Sequence, residues 1–265
     1  MTNPTDAAAN DPQRAAEEVW PVCSGSSFDL WEPDTGDYYD SVRADSIQQH
    51  LHAKRLSQRE TASSAFSELP EEVTKDPVTL PCLRPRVAFR DVTRANDSRT
   101  FRCALIPPDR VLTHKAPYLL QTWGTPVDEA YVLGVLSSMI FDWQVRRTTE
   151  LNMTFEQLNQ ASVPDPGEGH PVRDRVTEIA GRLAAADDRF DVWTKQIGAE
   201  AGTVGDGERE DMLVELDACV ALLYGLDTDD VTVLYDTFGL LDQWNDRRDA
   251  VLSTMRQMSE GPRDD

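Results

Sequence analysis

Lysine is nearly missing from this chain. Only four of its 26 basic residues are lysine (Lys54, Lys75, Lys115 and Lys195), and the rest are arginine. The residues two positions before them are His52, Val73, Thr113 and Trp193, so the acid-x-lysine triplet of metal-dependent nucleases does not occur. Histidine is as scarce, with four copies. None stands in a convincing relation to a nucleophile or a carboxylate, which argues against a hydrolytic triad. Cys23, Cys82, Cys103 and Cys219 are too scattered for metal-ligand spacing, and no segment reads as a secretory leader. They are expected to be free, buried thiols in a reducing cytoplasm. No apolar run approaches the roughly 18 residues needed to span a bilayer, so a soluble protein with no membrane partner and no metal is expected.

Acid is what the chain has in excess. The formal net charge is −21 and the pI is near 4.5, which at first sight opposes binding to a polyanion. Abundant Asp and Glu with very little lysine is also the composition of a halophilic protein, in which a dense carboxylate shell maintains hydration. In such a setting the global charge reports the solvent, and a local departure from it reports a partner. Concentrated salt weakens phosphate contacts, so any DNA binding is expected to lean on base-edge hydrogen bonds and shape.

That departure lies between Pro85 and Lys115. Arg86, Arg90, Arg94, Arg99, Arg102, Arg110 and Lys115 stand there against only Asp91, Asp97 and Asp109. Val87 and Phe89 alternate with arginines, and the run Thr100–Ile106 stops at Pro107-Pro108, both in the period-two manner of strands. Between them Ala95, Asn96, Asp97 and Ser98 are turn residues. The expectation is a β-hairpin whose outer face and turn present guanidinium groups. Arginine's planar fork suits phosphates and guanine edges, and Asn can pair with adenine in bidentate fashion. The same residues would equally serve as solvating arginines on a sheet edge.

The block FRDVTRANDSRTFRCALIPP, then HKAPYLL, then DEAYVLGVLSSMIFDWQVRRTTELNMTFEQLNQASVP, resembles the C-terminal target-recognition region of type IIG restriction–modification enzymes. Those are large adenine-N6 DNA methyltransferases, usually fused to a nuclease. The resemblance runs from about Ser24 to about Asp249. It implies reading of double-stranded DNA by Arg86, Arg90, Thr93, Arg94, Asn96, Arg99 and Lys115. Arg94, Asn96 and Arg99, near the turn, would touch base edges; Arg86, Arg90 and Lys115 would touch phosphates, with Thr93 a weaker candidate.

The expected fold class is α+β: a mixed sheet-and-helix recognition domain at 20–165, then a small all-α bundle at 166–258. Residues 1–19 read as a disordered leader and 259–265 as a disordered tail. Pro33-Asp34-Thr35-Gly36 is a turn signal between two short strands, with aromatics packed under a sheet. A polar helix follows over Val42–Arg59, in which His50 and His52 face different ways, and a loop over Ser63–Pro81. Beyond Pro117 one helix is expected from Asp128 through Arg147, with Tyr131, Val132, Val135, Leu136, Met139, Ile140 and Trp143 as its buried stripe. Arg146 and Arg147 at its end suit the helix dipole. PDPGEGHP, from Pro164 to Pro171, is a linker. After it, Val172 through Ile197 spells a helix of about seven turns. A helix over Met212–Tyr224 should end at Gly225. A short helix is capped by Asp227 or Thr228, and a last one runs over Leu240–Met258.

Catalytic signatures are not visible. The only Pro-Pro pair lacks the preceding Asn or Asp and the following aromatic that hold an extruded adenine, and no glycine-rich strand–turn–helix for S-adenosylmethionine is present. Gly202, Gly205 and Gly207 lack the strand and the Lys-Ser/Thr of a phosphate loop. The sequence therefore predicts a DNA specificity module with no cofactor of its own, S-adenosylmethionine belonging to a partner methylase. The alternatives are a protein–protein assembly module or an inactive remnant of a split type IIG enzyme.

Overall fold

The computed structural model describes residues 18–94, 97–238 and 242–260. Among these residues are five short strands: β1 (Val19–Cys23), β2 (Asp40–Arg43), β3 (Arg86–Phe89), β4 (Cys103–Ile106) and β5 (Val111–Leu112). β1 lies between antiparallel β2 and parallel β5, while β3 and β4 form a separate antiparallel pair. Among the described residues ten helices accompany them: α1 (Ala44–Arg59), α2 (Glu71–Lys75), α3 (Pro126–Ser137), α4 (Met139–Arg146), α5 (Phe155–Gln160), α6 (Pro171–Ala184), α7 (Asp191–Ile197), α8 (Asp206–Leu223), α9 (Thr228–Asp236) and α10 (Asp242–Glu260). The class is α+β, strands first and a helical array after. The expected leader lies outside the described residues up to 17, and Val19 already opens β1. The tail lies outside them from 261, and α10 runs on to Glu260.

The β3–β4 hairpin pairs in the expected place, with Val87 opposite Leu105 and Phe89 opposite Cys103. Its burial differs from expectation, because all eight strand residues are buried. Opposed residues share a face of an antiparallel pair. Val87, Phe89, Cys103 and Leu105 therefore enter the main core beneath α3 and α4, while Ala88, Ala104 and Ile106 pack against Phe28 and Ala116. The edge of β3 is covered as well, since Phe89 N donates to Pro117 O and Leu119 N to Val87 O, both at 2.9 Å. A hairpin covered on both faces has no outer side on which to present arginines.

The helix expected from Asp128 to Arg147 is two helices. Asp128, in the first turn of α3, accepts from Thr125 N at 2.6 Å, and Pro126 sits at the first helical position. α3 stops at Ser138, whose extended backbone (ψ 158°) and side chain, accepting from Phe141 N, start α4 afresh. An apolar stripe continues across such a break with little change in spacing, so periodicity alone does not report it. The predicted seven-turn helix divides in the same way. α6 ends at Ala185, and Asp187 caps a 3₁₀ turn by accepting from Arg189 N before α7. Ser63–Pro81 likewise contains α2 and 3₁₀ turns rather than plain loop. At Gly225 the chain takes φ 71° just past α8, the left-handed conformation that glycine adopts without steric cost.

The stretch around 164–171 is irregular, as its prolines and glycines dictate, but the core does not stop there. α6 lies against α3 so closely that a Cβ on Gly134 would come within 2.7 Å of Val176 Cγ1. One apolar cluster runs from Phe89 and Phe101 through Val176 and Cys219 to Val251. Asp217 on α8 is fully buried in it and joins three elements. It accepts from Met139 N at 2.8 Å, from the Tyr235 hydroxyl at 2.9 Å and from Arg247 at 2.8 Å.

Replacing Asp217 with Asn leaves Arg247 without its buried counter-charge and is expected to cost about 3–5 kcal/mol of unfolding free energy. Asp236→Asn, at the exposed Arg248 pair, should leave it almost unchanged. Guanidinium unfolding of both variants measures the difference, and equal losses would contradict the role given to Asp217. Burial pushes the Cys103 and Cys219 thiols up to about 12. Iodoacetamide near neutral pH should therefore label them only after denaturation, as mass spectrometry of the native and unfolded chain would show.

Candidate nucleic-acid interface

The basic segment is used mostly from within. Arg86, on the doubly covered β3, is 4% exposed. It donates to Pro81 O at 3.2 Å and Arg110 O at 2.7 Å, with its guanidinium 5.3 Å from the Tyr118 ring centroid. Arg90 donates to Phe28 O at 2.9 Å and lies 3.2 Å from the Asp29 carboxylate, which Arg102 also approaches at 3.0 Å. Thr93 is buried, and its hydroxyl donates to Thr100 O. Arg99 is 8% exposed; it donates to Ser137 O at 2.7 Å and Ser138 O at 3.0 Å, and lies 3.6 Å from Asp142. Lys115 meets Asp91 at 2.8 Å and stays partly exposed. Asn96 lies outside the described residues. Of the six described, Arg94 alone is both exposed and, among the described residues, without a side-chain partner.

The roles expected of Arg86 and Arg99 are therefore corrected. In this conformation neither presents its fork to the surface, and both bind backbone carbonyls of their own fold. Arg90 is diverted in the same way, toward Phe28 and Asp29. Three of the carboxylates that neutralise the segment, Asp29, Asp34 and Asp142, lie far from it in sequence. Counting charges along Pro85–Lys115 does not include them.

What these interactions build is the support of a turn. Arg94 and Asp97 flank it, with Asp97 N donating to Arg94 O at 3.1 Å and Arg94 N donating to Asp97 Oδ2 at 3.2 Å. Beneath it, Asp142 is fully buried and accepts from Phe101 N at 2.6 Å. Arg146 meets Asp142 at 3.2 Å and donates to Asp97 O at 2.7 Å, with Phe238 stacked 4.4 Å away. Arg99 completes the group by donating to Ser137 O, the carbonyl freed where α3 breaks, and to Ser138 O, which also accepts from Asp142 N. The break and the arginine explain each other: helix-terminal carbonyls need donors, and a buried guanidinium needs acceptors.

Sequence reasoning did not single out Asp142, although a signal existed. An acid within the stripe Met139, Ile140, Phe141, Trp143, with Arg146 four residues on, implies a buried partner. Arg147 instead stacks on Trp143 at 4.9 Å. Among the described residues no group of three or more His, Cys, Asp and Glu could hold a metal ion, and no helix is long and apolar enough to cross a membrane.

No protein-family model and no curated protein matches the chain. Among solved structures it is similar to the type IIL restriction–modification enzyme MmeI in complex with DNA, at 12% identity and a TM-score of 0.39. That alignment covers 97% of this chain and 33% of the other, so the chain spans about a third of that enzyme's length. A likeness this distant carries no argument about fold or function.

Arg99→Ala removes the donor to Ser137 O, one of the donors to Ser138 O and a buried counter-charge of Asp142. A loss of about 3 kcal/mol or more is expected, against less than about 0.5 kcal/mol for Arg94→Ala. Urea unfolding of the two variants tests the division, and similar losses would contradict it.

Proposed function

We propose that the chain is a non-catalytic DNA-recognition module serving an adenine-specific methylation or restriction–modification system, with its contacts centred on the turn at 94–98. The observation that carries this reading is the contrast within the segment. Arg99, Arg146 and Asp142 fix the base of the turn, while Arg94 is exposed and unpaired among the described residues. A readout side chain gains specificity when its support is rigid before binding. The sequence blocks that resemble type IIG recognition regions support the same reading, because the structure joins them. The first block supplies the hairpin and turn, HKAPYLL covers the edge of β3, and the third supplies α3, α4 and Arg146.

On this reading Arg94 is the principal contact and Lys115 a secondary one, which must leave Asp91 to reach a phosphate. Arg86, Arg90, Arg99 and Thr93 hold the frame. Asn96 keeps its assigned base contact as part of the same proposal. The methyl donor and the catalytic residues belong to a partner methylase. The net charge of −21 repels DNA at long range, so binding depends on salt to screen the carboxylates and on short-range hydrogen bonds for its energy.

A second reading, an assembly module, is favoured by Trp123. It is 77% exposed beside a groove that includes Leu69, Pro70, Val73 and Leu120. An aromatic so placed is a natural anchor for a protein partner.

Arg94→Glu distinguishes the two. Selection from a randomised duplex pool by the wild-type chain should yield a preferred site, and the charge reversal should weaken that site about tenfold or more. Arg94→Lys decides which contact is made. If overall affinity is kept while preference at one base pair relaxes, the fork reads a base edge. If preference is kept, the contact is to phosphate, and removing the charge should lower the salt slope by about one. A wild-type chain that selects no sequence, or an Arg94→Glu chain that binds as well, would end the DNA-reader proposal.

A further inference from the structure

A cavity of about 230 Å³ lies where the first sheet meets β3; its lining is mostly apolar, with four cations and no carboxylate. Arg55 and Arg86 line it and are 1% and 4% exposed; Arg110 lines it half-buried, and Lys54 stands exposed at its rim. Among the described residues neither Arg55 nor Arg86 forms an ion pair. Arg55 donates to Thr79 Oγ1 at 3.0 Å and to Asp76 O at 2.7 Å, and Arg86 donates only to the carbonyls of Pro81 and Arg110. Arg110 reaches Asp34 at 3.3 Å, but that carboxylate already accepts from Arg189 at 2.7 Å and Tyr38 at 2.6 Å. The Nε atoms of Arg55, Arg86 and Arg110 are all buried without a partner.

Carbonyl groups satisfy N–H donors but do not cancel a charge. A guanidinium keeps its proton at any physiological pH, and burying one without an anion costs several kcal/mol. Two such groups share this cavity with a third whose counter-ion is divided. Burial pulls Arg55 and Arg86 below their ordinary values, and at Arg55 the nearby Asp76 charge opposes the shift without reversing it. Each guanidinium has five N–H donors, and Arg55 and Arg86 each spend two of theirs on the protein.

We propose that this cavity is a binding site for a phosphate group, gripped by Arg55 and Arg86 from within and closed at the mouth by Arg110 and Lys54. Tetrahedral oxyanions match converging guanidinium forks, and arginine is the residue suited to bidentate recognition of them. The recess selects the form of phosphate. A phosphate in the backbone of a duplex cannot descend to side chains this buried, whereas orthophosphate or the terminal group of a small phosphomonoester can. Phe66 and Tyr118, also in the wall, give the organic part of such an ester an apolar surface to lie on. The site is independent of the turn at 94–98 and of the DNA-reading proposal.

The test uses the full chain, with calorimetry and thermal unfolding. Potassium phosphate should raise the melting temperature saturably above potassium chloride at equal ionic strength. Adenosine 5′-monophosphate should act like phosphate while adenosine does not, and a stronger effect of the monophosphate would identify an ester as the natural occupant. Arg110→Gln with Lys54→Gln, both away from the most buried positions, should weaken phosphate about tenfold or more while the chain stays folded. Where Arg86→Met also folds, its melting temperature should no longer respond to phosphate. The proposal is overturned if phosphate and chloride shift melting equally, or if the rim variant binds phosphate as the wild type does. Displacement of bound phosphate by a blunt duplex without terminal phosphates would overturn it as well, since the cavity would then lie on the path of DNA.

Discussion

Much of this protein's first half depends on one buried carboxylate between two arginines. Asp142, fully buried, holds the start of the Phe101 strand region through Phe101 N and faces Arg99 on one side and Arg146 on the other. A charge so buried is tolerated only when paired and hydrogen-bonded, and here the pairing fixes three elements at once. Arg99 stitches the return limb of the hairpin to the junction of two helices. Arg146 ties the end of the second helix to the turn. Remove the carboxylate and both guanidinium groups lose this buried counter-charge while keeping their carbonyl acceptors.

Seen this way, the break at Ser138 is part of the design of the turn. At the capped kink Phe141 N turns to the Ser138 side chain, which frees the Ser137 carbonyl that a continuous helix would have consumed, and Arg99 uses it. The same economy recurs in the helical half. There Asp217 caps the start of α4 through Met139 N while holding Tyr235 and Arg247, so the beginning of α4 is fastened from the opposite side of the core. One buried acid is carried by α4 itself, and the other fastens the start of that helix from α8.

The arginines divide into three groups by what neutralises them. Some are matched by acids on other elements, as Arg90 and Arg102 are by Asp29 and Arg189 by Asp34 and Asp187. Arg94 is exposed and unmatched among the described residues, and it carries the DNA-reading proposal. Arg55 and Arg86 are buried and unmatched, and they carry the phosphate proposal. In a chain of net charge −21, acids are abundant everywhere, so a buried cation left without one is the more informative for it.

Local patterns in the sequence determined the elements. Period-two alternation found β3 and β4, the stripe of Tyr131 to Trp143 found the helical stretch, and Asp227 and Gly225 marked the ends of α9 and α8, because each of these signals acts within a few residues. The sequence also marked Pro85–Lys115 as unusual, through its arginines alone. Which of those arginines face outward was decided only by the tertiary structure. The acids that draw them inward, Asp29 and Asp142, sit tens of residues away, and the second layer that covers the hairpin comes from Phe28 and Ala116. Charge pairing and burial are long-range in the chain even when the atoms are within 4 Å, whereas periodicity and capping are local in both senses.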